Sequence, residues 1–341
     1  MPGKKQLLAE LCSRTGLARA LLQLGPGSRN ALVVLAYHRV LDIGDEQSFP
    51  ADPELVSATV ADFEWQMRFL RRHFSPITFR QAIDCLERGI ALPARSVIVT
   101  FDDGHLDNYL HAFPILQSLG MPATIFLSTG YVDTRLPFWF DQVARLLYRA
   151  PPGRLDLSTI EMRIELSDIA SRRRATEVIL GRLKRIPESD RLSSLRELES
   201  RLDRNVVRSE DSEPFALSWS QVLEMSQSGI EFGSHTVSHP ILSNLEPAQL
   251  ARELGDSRRS IELHTGQPAD VIAYPIGKRF AYSDSVIAAC KAAGYRVGVS
   301  YESGINKWPL SSPFELRRLA IERYTDRAMF ESLLTLPRIF G

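Results

Sequence analysis

Ser96-Val97-Ile98-Val99-Thr100-Phe101-Asp102-Asp103-Gly104 runs six strand-like residues into two adjacent carboxylates and a glycine. The SVIVTF run is short, β-branched and apolar on both faces, as a parallel strand covered on both sides must be. Working outward, runs of the same kind recur at Ala31–Ala36 (ALVVLA), Ala123–Leu127 (ATIFL), Ile230–Gly233 (IEFG), Val271–Tyr274 (VIAY), Tyr295–Ser300 (YRVGVS) and Leu316–Ile321 (LRRLAI). Between them, Thr59–Phe74, Phe79–Arg88, Pro247–Thr265 and Ser283–Ala293 have helical spacing, and Gly266 and Gly294 read as C-caps. Seven β–α units in succession predict an α/β barrel, although an open doubly wound sheet fits the same pattern.

The stretch from about 150 to 214 breaks this rhythm. It opens with Pro151-Pro152-Gly153 and is rich in Arg, Glu, Asp and Ser. It reads as an insertion between the third and fourth strands, with two surface helices at Ala170–Arg185 and Asp190–Leu202 laced by charge pairs. Arg172-Arg173-Arg174 reads as a solvated face. We therefore divide the chain into an N-terminal amphipathic region, 1–29, and a barrel domain, 30–341, that carries the insertion.

Composition narrows the class. The 341 residues hold 41 Lys+Arg and 41 Asp+Glu, a net charge of 0, which lacks the basic footprint of a general nucleic-acid binder. Cys12, Cys85 and Cys290 are odd in number and far apart, so no disulfide framework is expected and a reducing compartment fits. No apolar run approaches the roughly 20 residues of a membrane span, and no apolar h-region follows Lys4 and Lys5. A cytoplasmic location is the expectation. Leu7, Leu8, Leu11, Ala18, Leu21 and Leu22 recur at helical spacing beside Lys4, Lys5, Arg14 and Arg19. That helix either packs on the domain or makes peripheral contact with a membrane surface.

Two clusters carry chemistry, and both follow predicted strands. Asp102-Asp103-Gly104 is either an ordinary turn or a pair of carboxylates whose mutual repulsion calls for a cation. His235-Thr236-Val237-Ser238-His239 places two imidazoles four residues apart, where one helical turn would bring both onto one metal ion; capping or packing histidines are the alternative. Together the clusters are more telling. Two His and one Asp make a three-ligand site with room for water, suited to Zn²⁺ or a similar divalent ion, and leave a second carboxylate as general base. The C-terminal end of the strands is where barrel enzymes assemble such sites.

From about Val34 to Ile321, apart from the insertion, the sequence resembles the polysaccharide deacetylases of the NodB-homology, carbohydrate esterase family 4 type. Thr100-Phe101-Asp102-Asp103-Gly104 is similar to the family's first motif and His235–His239 to its second. Phe113-Pro114-Ile115-Leu116, Gly120–Phe126, Phe232-Gly233-Ser234 and Ala273-Tyr274-Pro275-Ile276-Gly277 extend the likeness. The resemblance implies a distorted (β/α)7 barrel and metal-dependent removal of acetyl groups, N-acetyl above all, from a carbohydrate or lipid-linked glycan. By motif position it makes Asp102 the base and Asp103, His235 and His239 the metal ligands.

Two motifs depart from the family pattern. Ala273 stands where the family has an Arg that positions the base, and Arg317 or Arg318 beside the last strand is the expected substitute. Ile276 stands where an aromatic is usual, but its backbone N–H can still serve as an oxyanion donor, beside Tyr274 and Pro275. No histidine follows His264, so the usual C-terminal histidine is missing. His38, in Ala36-Tyr37-His38-Arg39-Val40, is expected to protonate the leaving amine, as in the permuted members resembling poly-N-acetylglucosamine deacetylases; His105 is its rival. Neighbouring carboxylates are expected to keep His38 protonated near neutral pH. Trp139, in Phe138-Trp139-Phe140-Asp141, either stacks on a sugar or packs beneath the insertion. The competing functions are a non-catalytic glycan-binding barrel and an amidohydrolase acting on a non-sugar amide.

Overall fold

The computed structural model describes residues 4–15, 30–44, 49, 51–202 and 215–340. Seven strands form a closed parallel barrel in chain order: β1 (Ala31–Tyr37), β2 (Ser96–Phe101), β3 (Thr124–Leu127), β4 (Glu231–Ser234), β5 (Val271–Ala273), β6 (Val297–Ser303) and β7 (Leu316–Ala320). Closure comes from β1 pairing with β2 along its length and with β7 at Leu35–Leu319 and Ala36–Ala320. At the other end of β1, the short strand Asn306–Lys307 takes Ala31 and Leu32 antiparallel. The Asn306 amide bridges the gap, donating to Leu32 O and Arg317 O and accepting from Arg317 N. The barrel is thus closed but distorted, as expected.

Strand alternation sorts side chains into two layers. Leu32, Val34, Ile98, Phe126, Val271, Ala273, Val299 and Leu316 form an inner apolar cluster. Val33, Leu35, Tyr37, Val97, Val99, Phe101, Ile125 and Leu127 pack outward against Phe63, Met67, Leu70, Phe113 and Leu116 of the helices. The helix Phe79–Glu87 adds Phe79, Ala82 and Ile83 to the inner cluster and plugs the N-terminal end of the barrel. Glu231, at the start of β4, anchors that helix by accepting from Phe79 N and Arg80 N. The other end of the barrel carries the polar residues.

Local chemistry sets the helix ends. Thr59 caps Val60–His73, Thr78 and Gln81 form a capping box, and Ser283 caps Asp284–Ala292. Pro247–Thr265 stops at Gly266, whose φ of 66° suits a left-handed cap.

The insertion is more structured than its composition suggested. A hairpin, Gly153–Leu157 with Met162–Leu166, precedes the helices Ile169–Leu183 and Glu188–Arg201. These are not merely solvated helices: Ile179, Leu180, Leu183, Leu195 and Leu198 bury themselves against Val143, Leu146 and Leu147 of the helix Trp139–Arg149. Of the arginine triplet, Arg174 is exposed, whereas Arg172 donates to Ala150 O. At the N-terminus, the helix Lys4–Arg14 packs on Arg327–Thr335 through Ala9 and Cys12 and leaves Leu7, Leu8 and Leu11 exposed. The remainder of the predicted amphipathic stretch, 16–29, lies outside the described residues. No helix among the described residues is long and apolar enough to cross a membrane.

Candidate active site

Strand parity delivers the first groups. On β1, Leu32, Val34 and Ala36 alternate inward, so His38 opens into the mouth of the barrel; on β2, Ile98 and Thr100 do the same for Asp102. On β7, Leu316 faces inward and Leu319 outward. Arg318 therefore enters the barrel, whereas Arg317 stays exposed and donates to Ser303 O. Arg318 donates from Nη1 and Nη2 to the two carboxylate oxygens of Asp102 at 2.7 and 2.8 Å, and from Nε to Ser300 O at 2.8 Å. Burial by itself would raise the Asp102 pKa. The Arg318 guanidinium outweighs it, with His235 and His38 adding to the effect, and holds the carboxyl below the usual carboxylate range.

Asp103 turns away from its neighbour because its backbone is left-handed, with φ at 74°. The His235–His239 segment is not a helical turn but a short irregular loop, as Ser234 before it and Pro240 after it suggest. Thr236 and His239 have φ values of 72° and 56°, and the kinks bring the two imidazoles together. Glu253, from the helix Pro247–Thr265, secures the loop by accepting from Val237 N, Ser238 N and Ser238 Oγ. Such strained backbone persists only where surrounding contacts hold it, and it concentrates at functional sites.

The result is a compact donor set. Asp103 Oδ1 lies 3.6 Å from His235 Nε2 and 3.5 Å from His239 Nε2, and the ligand atoms of all three residues lie within 4.8 Å of one another. Asp103 Oδ1 is buried and has no hydrogen-bond partner among the described residues. His235 turns Nδ1 to Ala273 O at 2.8 Å, which leaves Nε2 facing the centre. Burial, and then the neighbouring His235, push the His239 pKa down to about 3, so its imidazole is neutral. A tetrahedral zinc site with bonds of about 2.1 Å has edges of about 3.4 Å, close to these separations. The three residues therefore fit a divalent metal ion.

The surroundings of the site correct several expectations. Trp139 is 3% exposed and does not offer its ring to a sugar. Its indole N–H lies 3.0 Å from His239 O and 3.3 Å from His239 Nδ1, beneath the second histidine. Tyr274 faces outward among Leu250, Leu254 and Tyr282, and its hydroxyl donates to Phe314 O, so its side chain belongs to the helix layer. Pro275 is buried, and Ile276 is left-handed (φ 64°) at the mouth. His38 Nε2 is 4.0 Å from Asp102 Oδ2. Burial outweighs the pull of Asp103 and Asp102 and lowers the His38 pKa, so the imidazole is neutral rather than protonated near pH 7. His105 is fully buried, 3.3 Å from Asp103 Oδ2, and has no access to substrate.

Sequence reading missed the residues that hold His38. Asn108 Nδ2 donates to His38 O, Ser57 Oγ accepts from His38 N, and Asp107 accepts from Arg39 Nε and Val40 N. Asp107 and Asn108 follow the Asp-Asp-Gly turn within a few residues, and that proximity was the one available clue.

Comparisons with known proteins agree with this geometry. YxkH of Bacillus subtilis (strain 168), named for polysaccharide deacetylation, is 24% identical over 244 residues, which is 71% of this chain and 58% of its own. The poly-beta-1,6-N-acetyl-D-glucosamine N-deacetylase of Escherichia coli (strain K12) is 31% identical over 116 residues, 34% of this chain and 16% of its own, so the chain spans less than two thirds of either relative. The structure of the Streptococcus pyogenes deacetylase PplD, in complex with acetate, shares the fold with a TM-score of 0.59 at 19% identity, covering 89% of this chain and 96% of that one. The family model for polysaccharide deacetylase matches residues 89–298, which include the Asp102-Asp103 pair and the His235–His239 loop. With more than half of its length matched, the chain belongs to the polysaccharide deacetylase family.

Proposed function

We propose that this chain removes N-acetyl groups from a glycan, using a divalent metal ion held by Asp103, His235 and His239. One observation carries the reading. A buried carboxylate oxygen without a hydrogen-bond partner among the described residues faces two imidazole nitrogens, and the adjacent carboxylate is held ionised by a bidentate arginine. A binding module has no use for the second carboxylate. The N-acetyl preference follows the name of the E. coli relative.

The metal, most simply Zn²⁺, would supply a Lewis acid for the acetyl carbonyl and for the attacking water. The chain's own groups move the protons. As water adds to the carbonyl carbon, Asp102 takes its proton. Asp102 is a weak base beside a neutral imidazole 4.0 Å away, so the proton can pass on to His38 Nε2. His38 then delivers it to the amine nitrogen as the C–N bond breaks, leaving acetate and a free amine. Arg318 keeps the Asp102 carboxylate in place throughout, and the Ile276 N–H is available to the developing oxyanion.

The test is acetate release from a panel of N-acetylated and O-acetylated oligosaccharides by the zinc-loaded and the chelator-stripped protein. Metal-dependent release from N-acetyl substrates is expected. Release that is insensitive to metal removal, or none from any glycan, would sink the proposal.

A further inference from the structure

Helix Glu188–Arg201 of the insertion borders a cleft of about 480 Å³, whose lining also comes from the loop after β4 and the helix Pro247–Thr265. Trp139, Gln142, Arg191, Gln249 and Arg252 line it. Arg191 is 2% exposed. One edge of its guanidinium is engaged, with Nε and Nη2 donating to the Glu188 carboxylate. Its plane lies over Trp139, 4.6 Å from the ring centroid. The remaining nitrogen, Nη1, is buried without a hydrogen-bond partner among the described residues. A buried charged donor left without an acceptor is costly, and the guanidinium fork is shaped for a planar or tetrahedral oxyanion.

The cleft also contains two carboxylates, and both are already engaged. Glu188 is paired with Arg191, and Glu253 accepts from Val237 N, Ser238 N and Ser238 Oγ. Gln142 directs its Nε2 to Glu199. The cleft's other charged groups are cations: Arg191, whose Nη1 is a buried donor without a hydrogen-bond partner among the described residues, and Arg252, which is exposed. Trp139 connects the cleft to the metal-ligand set, since Arg191 covers its ring while its N–H holds the His239 carbonyl.

We infer that this cleft binds an anionic group carried by the glycan, a carboxylate or a phosphate, seated on Arg191 and Arg252. The inference rests on the deacetylase reading and adds the charge class of the substrate. It also gives the insertion a function, since the buried half of the site comes from its second helix.

Binding is measured first, by isothermal titration of the metal-stripped protein, so that phosphate on the metal ligands' ion cannot imitate the cleft. The probes are D-glucuronate and glucose 6-phosphate, which distinguish the two anion types, with glucose as the neutral control. At least one anionic probe should bind at least about 10-fold more tightly than glucose, one lost charge-assisted contact being worth about that factor. Arg252→Ala and Arg191→Gln should each abolish the preference; Arg252 is exposed, so its variant remains informative if Arg191→Gln fails to fold. In the zinc-loaded enzyme, Arg252→Ala should lose the preference for a uronate- or phosphate-bearing acetylated glycan while keeping its rate on a neutral one. Equal binding of anionic and neutral probes, or a preference unchanged by Arg252→Ala, overturns the inference. If no glycan releases acetate yet the anion preference is present and lost in Arg252→Ala, the anion site stands and the deacetylase reading falls.

Discussion

Arg318 and Asp102, 216 positions apart in the chain, form a buried bidentate pair in which the last barrel strand orients a carboxylate carried by the second. Ala273 stands where the resemblance places an arginine, and Arg318 is the arginine that reaches Asp102, from another strand. Burial opposes the charge on Asp102 and Arg318 restores it, so Arg318→Met should reverse the balance. Asp102 should then titrate above the ordinary carboxylate range, read by NMR titration of its carboxyl carbon, because His38 governs the acid limb of the rate profile. Removing one partner of a buried pair costs about 3–5 kcal/mol, readable by denaturant unfolding at neutral pH. The sign is set by the depressed pKa: the pair's contribution is present above the unfolded carboxylate pKa and disappears as pH falls through the folded one. An unshifted Asp102 titration in Arg318→Met would remove Arg318 from the role.

Metal binding should depend on the three donors together. Asp103→Asn and His239→Ala should each lose bound zinc, measured by elemental analysis after dialysis, and acetate release should fall in step. Full zinc occupancy in either variant would show that the ion sits elsewhere.

Asp102→Asn separates the base from the ligands. It should keep its zinc and lose about 10²–10⁴-fold in kcat, the usual cost of removing a general base. Loss of zinc with the activity would mean that the two aspartates have exchanged roles. Because Arg318 would lose its counter-charge, rates should be compared at a temperature where the variant is folded.

His38 should begin the cycle neutral, because burial lowers its pKa from the ordinary histidine value. Protonating it in the free enzyme would block the relay from Asp102, so wild-type activity should decline on the acid side, at a pH below the ordinary histidine range. His38→Ala should lack that limb, retain zinc and lose most activity on poor leaving groups, with much smaller losses on good ones. A His38-dependent limb on the alkaline side would instead require an imidazolium at the start.

Trp139→Phe keeps an aromatic ring in the apolar packing but deletes the N–H that holds the His239 carbonyl. Metal affinity should fall about 10- to 100-fold, as for other groups that orient a ligand, with little change in thermal stability. Unchanged affinity by competition with a chelating dye would reduce Trp139 to a packing residue.

Part of the site was legible because its groups are contiguous. Asp102 and Asp103 follow one strand and His235 and His239 share one loop, so a short stretch of sequence displays each half. The hairpin in the insertion was not legible. Gly153–Leu157 and Met162–Leu166 do alternate apolar and polar residues, but they are short and lie in a charged segment, where composition masked the period. The protonation state of His38 was also hidden, since it depends on burial by distant elements as well as on neighbouring charge.

By itself the sequence determined the seven strands, their succession along the chain and the strand ends that carry chemistry, because periodicity and strand-to-loop transitions are properties of consecutive residues. Only the tertiary structure decided which arginine serves Asp102. Arg317 and Arg318 are adjacent and chemically identical, and the choice depends on which faces the barrel axis, a matter of register against β1 and β6. The same parity turned Tyr274 outward, and packing of the insertion placed Trp139 beneath His239. Side-chain direction in a closed barrel is fixed by pairing between strands far apart in the chain, and no local pattern encodes that pairing.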